Sequence, residues 1–355
     1  MSLPRRRTRQ IMVGKVPIGG GAPVVVQSMT KTPTHQVGRT VAQIKRLEKA
    51  GCEIVRLAVP DERSAEALRA IRKRVDLPII ADIHFDHRLA LAALCAGVDG
   101  LRLNPGTIGS KAKVKEVAQA ARLHRVPIRI GVNSGSLEKD LLAAHGEATP
   151  EAMVESALRH IRLLEDVGFD QIKVSLKASD AGRTLAACRL LAGKVDYPFH
   201  AGVTEAGTLF SGTVKSAVGL GLLLNEGLAD TIRVSLTAPP EEEVRVAYLI
   251  LESLGLRKRG INFISCPTCG RAEVDMMTVV AEVEKRLASI RVPLKVALMG
   301  CMVNGPGEAR EADIGIACGR GVGVLFKKGL LVRRLDESEI IPGLVREVKK
   351  MAGEK

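Results

Sequence analysis

Eight times within the first 255 residues, a short run rich in Val and Ile is followed by an amphipathic stretch and then by a Gly or Pro break. Apolar runs of this length predict buried strands, and apolar residues at helical spacing predict helices. Eight strand–helix units in about 250 residues match the size of a closed (β/α)8 TIM barrel. A doubly wound open sheet is the alternative, but it does not require this regular count.

The same pattern gives boundaries for each element. The predicted strands cover residues 23–30, 53–60, 78–85, 100–106, 127–133, 171–178, 198–206 and 231–238. The predicted helices cover residues 39–50, 61–75, 86–96, 110–125, 149–167, 179–195, 211–228 and 239–254. Residue types at the helix ends support these boundaries, because Ser110 and Thr149 suit N-caps and Gly51 and Gly168 suit C-caps.

Apolar and polar side chains alternate within the strands. In the strand predicted over 171–178, apolar residues at 172, 174 and 176 alternate with Lys173, Ser175 and Lys177. Alternate side chains of a strand point to opposite faces, and the outer face of a barrel packs against helices. The polar set must therefore point into the barrel, toward the mouth at the C-terminal ends of the strands. It comprises Arg56, Arg102, Asn104, Arg129, Lys173, Ser175, Lys177, Arg233 and Ser235.

Most of this inward set is cationic. Burying an unpaired cation costs several kcal/mol, and the inward acids available are Asp82 and Glu205, near the ends of the third and seventh strands. We therefore expect a site for an anion with several charges, such as phosphate or diphosphate. The alternative is that the cations are solvated or paired with inward acids.

The pattern changes after residue 254. Strands are predicted over 262–265, 294–299, 313–317 and 322–326, and a final amphipathic helix over 337–351. We therefore predict an α/β chain of two domains joined by a short polar segment. The barrel covers residues 1–255, and a smaller α/β domain covers residues 256–355.

Three cysteines of the second domain lie in glycine-rich turns just after predicted strands. Cys266 and Cys269 form a CxxC motif, and Cys301 follows the next strand. Such turns expose sulfurs and leave backbone N–H groups free to bond to them, so the thiolates suit a metal or an iron–sulfur cluster. Spacing alone also allows zinc, the commoner case, or a redox dithiol. A fourth ligand is needed, and Glu308 and Cys318 are the candidates.

The charge balance restricts the partners. The chain has 53 Lys and Arg against 39 Asp and Glu, a formal net charge of +14. Such a charge attracts nucleic acid, an anionic membrane, an acidic protein or an anionic substrate. Aromatic residues make up 2% of the chain, which disfavours single-stranded nucleic acid because its binding proteins stack bases on aromatic rings.

The sequence also bears on the compartment. No span reaches the roughly 18 apolar residues of a transmembrane helix, and the basic N-terminus over 1–14 lacks the apolar run of a secretory signal. Seven scattered cysteines do not suit a secreted disulfide framework, so we expect a cytoplasmic protein. Cys52, Cys95 and Cys188 lie in apolar patterns of the barrel and are expected to be core residues.

Seven motifs spread over nearly the whole chain carry a family resemblance. They are QSMT at 27–30, RLNPG at 102–106, GVNSG at 131–135, KVSLKASD at 173–180, GVTEAG at 202–207, SCPTCGR at 265–271 and GCMVNGPGE at 300–308. Through them the chain resembles the 4-hydroxy-3-methylbut-2-enyl diphosphate synthases in their bacterial two-domain form. The large insertion of the plant-type form is missing.

The resemblance implies an oxidoreductase of the non-mevalonate isoprenoid pathway. Two electrons and protons would open the ring of 2-C-methyl-D-erythritol 2,4-cyclodiphosphate and remove a hydroxyl, giving (E)-4-hydroxy-3-methylbut-2-enyl diphosphate. Cys266, Cys269, Cys301 and Glu308 would be the ligands of a [4Fe–4S] cluster, and Cys318 would be structural. A carboxylate exchanges more readily than a thiolate, so the iron held by Glu308 could open to a substrate oxygen.

The resemblance also implies roles in the barrel. The residues holding the diphosphate would be Arg56, Arg102, Arg129, Lys177, Arg233 and Ser235, with Lys173 and His84 as further candidates. Glu205 matches the barrel carboxylate that acts on the carbon skeleton or as an acid or base. Supporting contacts would come from Asn133 and Asp82 at the mouth and from Asn304 beside the cluster.

The resemblance also suggests partners. An acidic ferredoxin or flavodoxin would supply electrons, and the positive chain would attract either. The eighth helix of a barrel ends at the bottom, and the second domain begins about six residues later, a reach of at most roughly 20 Å. Because the barrel is of similar height, we expect a homodimer in which each cluster domain caps the partner's barrel. The remaining cations, including the N-terminal arm and residues 257–259, are expected to be solvated surface.

Two other functions fit parts of the pattern. One is a phosphate-binding barrel lyase or pterin-type transferase with a structural zinc domain. The other is a basic nucleic-acid-binding protein with a CxxC zinc module, which the inward parity of the cations and the shortage of aromatics disfavour. We expect neither a nucleic-acid partner nor a membrane partner.

Overall fold

The computed structural model describes residues 5–353 of the chain. Residues 1–4, part of the predicted basic N-terminal arm, lie outside the described residues, as do residues 354 and 355. The chain divides into two compact units, Met1–Arg257 and Lys258–Lys355. The division falls two residues after the predicted boundary between residues 255 and 256.

Parallel strands build the first unit. A short antiparallel hairpin of β1 (Ile11–Val13) and β2 (Val16–Ile18) comes first. Within residues 5–257, eight parallel strands follow: β3 (Val25–Met29), β4 (Ile54–Ala58), β5 (Ile79–Asp82), β6 (Gly100–Leu103), β7 (Ile128–Asn133), β8 (Ile172–Lys177), β9 (His200–Ala201) and β10 (Thr231–Ile232). The sheet runs in the order β8-β7-β6-β5-β4-β3-β10-β9, and a bridge between Val174 and Phe199 joins its two ends. This confirms the predicted barrel.

Helices surround the strands. They are α1 (Val37–Ala50), α2 (Glu62–Arg72), α3 (His87–Cys95), α4 (Lys111–Leu123), α5 (Lys139–His145), α6 (Pro150–Glu165), α7 (Ala181–Ala192), α8 (Leu209–Asn225) and α9 (Pro240–Ser253). The extra helix α5 was not predicted, because seven residues are too few to reveal helical periodicity. No helix within residues 5–353 is long and apolar enough to cross a membrane.

Burial follows the predicted alternation. Outward side chains such as Leu101, Val174 and Val234 belong to one core shared with the helices, whereas Lys173 and Ser175 lie buried on the inner side. The last two barrel strands are shorter than predicted. Beyond Ala201 and Ile232 the continuous pairing of these strands stops, and the chain continues as the loops of the mouth, where a single bridge joins Thr208 and Thr237.

The hairpin, which the sequence analysis did not predict, closes the bottom of the barrel. Its apolar side chains share a cluster with the first inward residues of β3, β4 and β5. This cluster comprises Ile11, Val13, Ile18, Val25, Ile54 and Ile80. Strands of three residues are too short for a pattern to reveal, but their burial keeps water out of the barrel from below.

The N-terminal cations bind to the same end of the barrel. Arg5 forms an ion pair with Asp230 at 2.9 Å. The guanidinium of Arg6 lies 4.0 Å from the centroid of the Phe199 ring. The prediction that this arm is solvated surface is therefore wrong for both residues, because buried partners hold them.

The second unit is a mixed sheet with helices. Its elements are β11 (Ile261–Ser265), α10 (Met276–Leu287), β12 (Leu294–Met299), α11 (Gly305–Glu311), β13 (Ile314–Gly319), β14 (Val322–Lys327), β15 (Leu330–Asp336) and α12 (Ile340–Met351). The strands lie in sequence order, the first three parallel and the last two antiparallel. Neither α11 nor β15 was predicted. β15 is an edge strand whose apolar side chains are mostly exposed, so it lacks an alternating pattern.

Candidate active site

Five cations form a ring on the inner side of the barrel strands. Arg102, Arg129 and Lys173 lie side by side on β6, β7 and β8, because the strand register pairs each with the next. Lys177 lies further along β8, and Arg56 lies on β4. All but Arg56 are at most 7% exposed. The structure thus brings together cations that alternation predicted to face inward, and we call these five residues the cation ring.

Asp82, on β5, is the carboxylate within this ring. Its oxygens lie 3.2 Å from Nη1 of Arg102 and 3.4 Å from Nε of Arg56. Burial works to raise the pKa of Asp82, but the charges of Arg56, Arg102 and Arg129 outweigh it and hold the pKa below its usual range. Asp82 is therefore ionised, and it compensates only a fraction of the charge.

The rest of the ring lacks counter-charge. In the part of the chain that the structure describes, Nε and Nη1 of Arg129 and Nζ of Lys173 have no hydrogen-bond partner. Burial, reinforced by neighbouring cations, lowers the pKa values of Arg129, Lys173 and Lys177 well below their usual ranges. The pKa of Arg56 is lowered to about 10, again mainly by burial. A bound polyanion would satisfy these donors and stabilise their charged forms.

His200 is a member of the site that was not predicted from the sequence. Its Nε2 lies 3.3 Å from Nζ of Lys177, and its Nδ1 lies 2.8 Å from Oγ1 of Thr231. Burial, and then the charge of Lys177, lowers the pKa of His200 well below its usual value, so the imidazole of His200 is neutral. A neutral imidazole with its proton on Nδ1 accepts a hydrogen bond from Lys177 and donates one to Thr231. His200 lies two residues before Gly202 in the strand predicted over 198–206, so the two share the inward face of the barrel. That shared face is the signal in the sequence that could have identified His200.

Arg233 has a partner that the strands alone did not reveal. Its Nε lies 3.5 Å from Oε2 of Glu243, a residue of α9 that is 1% exposed. Glu243 also lies 3.1 Å from Nζ of Lys31 and accepts a hydrogen bond from Ser28. The expectation that Asp82 and Glu205 are the acids available to the inward cations is therefore wrong. In the sequence, Glu243 resembles a solvated residue in an acidic first turn of a helix.

Glu205 lies in the loop after β9, at the mouth. Its φ is 52°, in the left-handed region that favours glycine. The side chain is exposed, and its carboxylate makes no hydrogen bond or ion pair within residues 5–353. Glu205 therefore does not compensate the inward cations as expected. Residues held in such sparsely populated backbone conformations cluster at functional sites.

The remaining predicted barrel residues lie at the ends of their strands. His84 follows β5, and its Nε2 lies 2.8 Å from Nη1 of Arg102. Asn133 is the last residue of β7, and Ser235 lies three residues beyond β10. Arg233 and Ser235 were predicted within a longer strand, but the regular strand ends at Ile232. All of these residues therefore lie at or just beyond the C-terminal ends of strands, which is where the mouth is.

In the second unit, two of the predicted cysteine ligands follow adjacent parallel strands. Ser265 pairs with Leu298 in the register of β11 and β12, and the N–H of Cys266 donates to the Leu298 carbonyl at 2.9 Å. Cys301 follows β12 by two residues. The strand register therefore brings the two cysteine-bearing loops to the same edge of the sheet.

Backbone N–H groups surround the sulfur of Cys301. Those of Asn304 and Val303 hydrogen-bond to it, and with the side chain of Arg271 they lower its pKa below the usual value, against a smaller effect of burial. In the CxxC loop, Cys266 is half-buried, Cys269 is exposed and Thr268 has a left-handed φ of 56°. These loops offer thiolate and N–H donors of the kind that hold iron–sulfur clusters.

The fourth predicted ligand, Glu308, lies in the first turn of α11 and is exposed, and Asn304 immediately precedes that helix. Within residues 5–353, no three His, Cys, Asp or Glu side chains converge on a point that could hold one metal ion.

Three of the other four cysteines are buried, as predicted, and the fourth is exposed. Cys318 is fully buried, and burial raises its pKa to about 12, as expected for a structural thiol. Cys52 and Cys188 are also buried in the barrel core. Cys95 was expected there too but is exposed, because it occupies the last turn of α3.

Family models match both units of the chain. The model described as the GcpE TIM-barrel domain matches residues 8–248, and the model described as the GcpE protein C-terminal domain matches residues 262–350. The chain belongs to the GcpE family. The match covers the cation ring, Glu205, His200 and the three cysteines of the second unit.

Relatives within the family match over nearly their whole length. The 4-hydroxy-3-methylbut-2-en-1-yl diphosphate synthase (flavodoxin) of Geobacter sulfurreducens is 61% identical, over 99% of this chain and 99% of that protein. The protein of the same name from Thermodesulfovibrio yellowstonii is 56% identical, over 98% of this chain and 100% of that protein. Among solved structures, Yersinia pestis dihydropteroate synthase has a TM-score of 0.49 and 11% identity, and covers 69% of this chain and 98% of that chain. That likeness is too distant to bear on function.

Replacing a cation of the ring should stabilise the empty protein. We expect Arg129→Met to raise the free energy of unfolding of the barrel by about 1–3 kcal/mol, because it removes a buried charge that lacks a partner. Tyrosine fluorescence during urea unfolding measures this, because the chain has no Trp and its two Tyr, at 197 and 248, both lie in the barrel. Arg69→Met, at an exposed position of α2, is the control and should change little. A loss of stability in Arg129→Met would contradict the account.

The buried neutral His200 should make stability fall in acid. Its folded pKa lies well below 6.5, so below about pH 6.5 the unfolded chain binds a proton that the folded chain does not. The difference in unfolding free energy between the wild type and His200→Asn should therefore shift against the wild type by about 1.4 kcal/mol per pH unit below pH 6.5. Urea titrations between pH 5 and 8 measure it. Parallel pH profiles for the two proteins would show that His200 is not held neutral.

Proposed function

We propose that this chain is an oxidoreductase that converts 2-C-methyl-D-erythritol 2,4-cyclodiphosphate to (E)-4-hydroxy-3-methylbut-2-enyl diphosphate. The conversion takes up two electrons and two protons, opens the cyclic diphosphate and releases one water. The observation that carries the proposal is the cation ring, buried and lacking counter-charge, in a chain 61% identical to a synthase of that name over its full length.

We assign the diphosphate of the substrate to the cation ring. Arg129 and Lys173 have free donors, and guanidinium groups bind phosphate oxygens through two parallel hydrogen bonds. Asp82 orients Arg56 and Arg102, and His200 orients Lys177. The further contacts that we assign to the substrate are Arg233, Ser235, His84 and Asn133.

Glu205 is assigned to the reacting carbon skeleton. Its carboxylate is exposed at the mouth, on the loop that follows β9, and it lies outside the ion pairs of the ring. It is therefore free to move a proton to or from the substrate, as ring opening and loss of a hydroxyl require. A carboxylate neutralised by a neighbouring arginine would be a poorer base.

We propose that Cys266, Cys269, Cys301 and Glu308 hold a [4Fe–4S] cluster, with Asn304 beside it. When bound, such a cluster supplies the two electrons one at a time. The chain's own contribution is to favour the thiolate form of Cys301, because the N–H groups of Asn304 and Val303 lower its pKa. Glu308 provides an oxygen ligand, which exchanges more readily than sulfur.

The proposed electron donor is a flavodoxin, with a ferredoxin as the alternative. The names of the relatives from Geobacter sulfurreducens and Thermodesulfovibrio yellowstonii include flavodoxin. The net charge of +14 favours either donor, because both are acidic proteins that a positive surface attracts.

We also propose a homodimer in which the cluster-bearing unit of one chain serves the barrel of the other. Arg257 was expected to be solvated, but it donates to the Val24 carbonyl at 2.7 Å and pairs with Glu53 at 3.0 Å. Both partners lie where β3 and β4 begin, so the barrel unit ends at its bottom, opposite the mouth. The second unit starts at the next residue, Lys258. This short joint supports a site composed from two chains.

Anaerobic purification, followed by iron and sulfide analysis and a turnover assay, tests the proposed reaction. We expect a brown protein with about four irons and four sulfides per chain that turns over the cyclic diphosphate with a chemical reductant. Cys301→Ser should lose colour and activity, whereas Cys95→Ser, at an exposed cysteine of the barrel, should keep both. A colourless protein containing zinc would favour the barrel lyase or transferase. Strong competition by polynucleotide but not by the cyclic diphosphate would favour the nucleic-acid-binding alternative.

Mixing two inactive variants tests the shared site. Glu205→Ala lacks the barrel carboxylate and Cys301→Ser lacks a cluster ligand, so each should be inactive alone. After subunit exchange, half of the dimers carry one intact composite site, which predicts about a quarter of the wild-type activity. The double variant, mixed with the wild type, controls for dilution. If exchange is verified with tagged chains and no activity returns, the shared site is wrong.

A further inference from the structure

The segment after β10, residues 233–238, carries two of the contacts that we assign to the substrate, Arg233 and Ser235. We call this segment the β10 loop. The register that pairs β10 with β3 ends at Ile232. On the side of β9 the loop keeps backbone hydrogen bonds, since the N–H of Arg233 donates to the Ala201 carbonyl at 3.0 Å. On the side of β3, its position depends on side chains.

Lys31 and Glu243 hold the β10 loop on the side of β3. Nζ of Lys31 donates to the Leu236 carbonyl at 2.6 Å and also to the Ala238 carbonyl. The N–H of Leu236 donates to Oε1 of Glu243 at 3.1 Å. Hydrogen bonds to charged groups are stronger than those between neutral groups. Both backbone polar groups of Leu236 are therefore fixed by charged side chains.

The carboxylate of Glu243 is buried, and both of its oxygens have partners. Oε1 also faces Nζ of Lys31 at 3.1 Å. Oε2 accepts a hydrogen bond from Ser28 at 3.1 Å and lies 3.5 Å from Nε of Arg233. Burying a carboxylate is costly unless hydrogen bonds and cations compensate it. Here each oxygen has one hydrogen-bond donor and one cation.

Stabilising the start of α9 does not explain this arrangement. An acidic residue stabilises the first turn of a helix through its charge, without a specific partner. Glu241, in the same turn, supplies such a charge and pairs with Arg46 of α1 at 2.6 Å. Glu243 instead directs a carboxylate that is 1% exposed to β3 and to the β10 loop.

The ion pair with Glu243 orients Arg233. The carboxylate lies on the Nε side of the guanidinium, and within residues 5–353 the two Nη groups form no hydrogen bond or ion pair. Because a guanidinium is planar, a partner at Nε also sets the direction of the Nη groups. A group that binds a substrate needs such support to keep it in the productive geometry.

We propose that Glu243 is a positioning residue of the substrate site, which with Lys31 fixes the β10 loop so that Arg233 directs its Nη groups to the diphosphate. The inference rests on the proposed function and adds to it a residue that acts through Arg233 without touching the substrate. A carboxylate that only opposed the anion would weaken its binding, so removing that charge would tighten binding. Positioning predicts the opposite sign.

Calorimetric titration of the full chain with the cyclic diphosphate measures this sign. We expect Glu243→Gln, which keeps the shape of the side chain and removes its charge, to bind about tenfold more weakly, because a freed arginine must be ordered on binding. Glu241→Gln is the matched control, since it removes the same charge from the same helical turn, and it should bind as the wild type does. Unchanged or tighter binding by Glu243→Gln overturns the proposal.

A double-variant cycle tests whether Glu243 acts through Arg233. Arg233→Met should itself weaken binding, and adding Glu243→Gln to it should cost no more than about a further threefold, because the group to be positioned is gone. A larger further loss would show that Glu243 acts independently of Arg233, against the proposal. If Glu243→Gln does not fold, Lys31→Met takes its place in the same cycle with the same expectations, because Lys31 is only partly buried.

Turnover separates positioning from a loss of folded protein. Because Glu243 does not touch the reacting carbons, we expect Glu243→Gln to raise KM about tenfold and to change kcat by less than about threefold. A smaller folded fraction would instead lower kcat and leave KM unchanged. That pattern would show a structural role and contradict the inference.

Inorganic diphosphate distinguishes this inference from the proposed function. If the wild type binds inorganic diphosphate but not the cyclic diphosphate, and Glu243→Gln weakens that binding, the positioning role stands and the proposed function fails. If the wild type turns over the cyclic diphosphate and Glu243→Gln binds both ligands as tightly as the wild type does, the proposed function stands and the positioning role is wrong.

Discussion

The inner side of the barrel holds several buried cations close together, and the surrounding acidic, neutral and apolar groups are arranged around their repulsion. Arg129 and Lys173 are neighbours in the strand register, both are buried, and both have donors without acceptors. Their lost hydration, and then their mutual repulsion, lower their pKa values and the stability of the empty protein. A site so constructed is complementary to a compact polyanion before that anion arrives, which is the preorganisation on which tight binding and catalysis rely.

Neutral and acidic groups around the cation ring reduce the repulsion among its cations without removing it. Asp82 compensates part of the charge, and neutral His200 accepts a hydrogen bond from Lys177. Glu243, which lies on helix α9, forms an ion pair with Arg233. The hairpin closes the bottom with an apolar cluster, so the charged interior opens at the mouth rather than through the barrel. The residual positive charge is therefore concentrated where a substrate enters.

The sequence predicted the strands and their inward cations because alternation in a strand has a strict period of two. Arg129, Lys173 and Lys177 followed from that rule alone. Glu243 could not be predicted in this way, since it reaches the site from a helix, where a glutamate in the first turn is usually solvated. The hairpin strands were too short for any period, and the docking of Arg5 and Arg6 depends on long-range partners. The cluster ligands came from a family resemblance rather than from spacing, which alone also allows zinc, the commoner case.

Calorimetric titration with the cyclic diphosphate tests the central claim most directly, because it measures whether the cation ring binds the substrate before any electron is transferred. The wild type is compared with Lys173→Met and with Lys45→Met, whose lysine is exposed on α1. The account predicts that Lys173→Met binds about 100-fold more weakly or worse, since a buried charge contact is lost, and that Lys45→Met binds as the wild type does. Equal affinity of Lys173→Met and the wild type would contradict it.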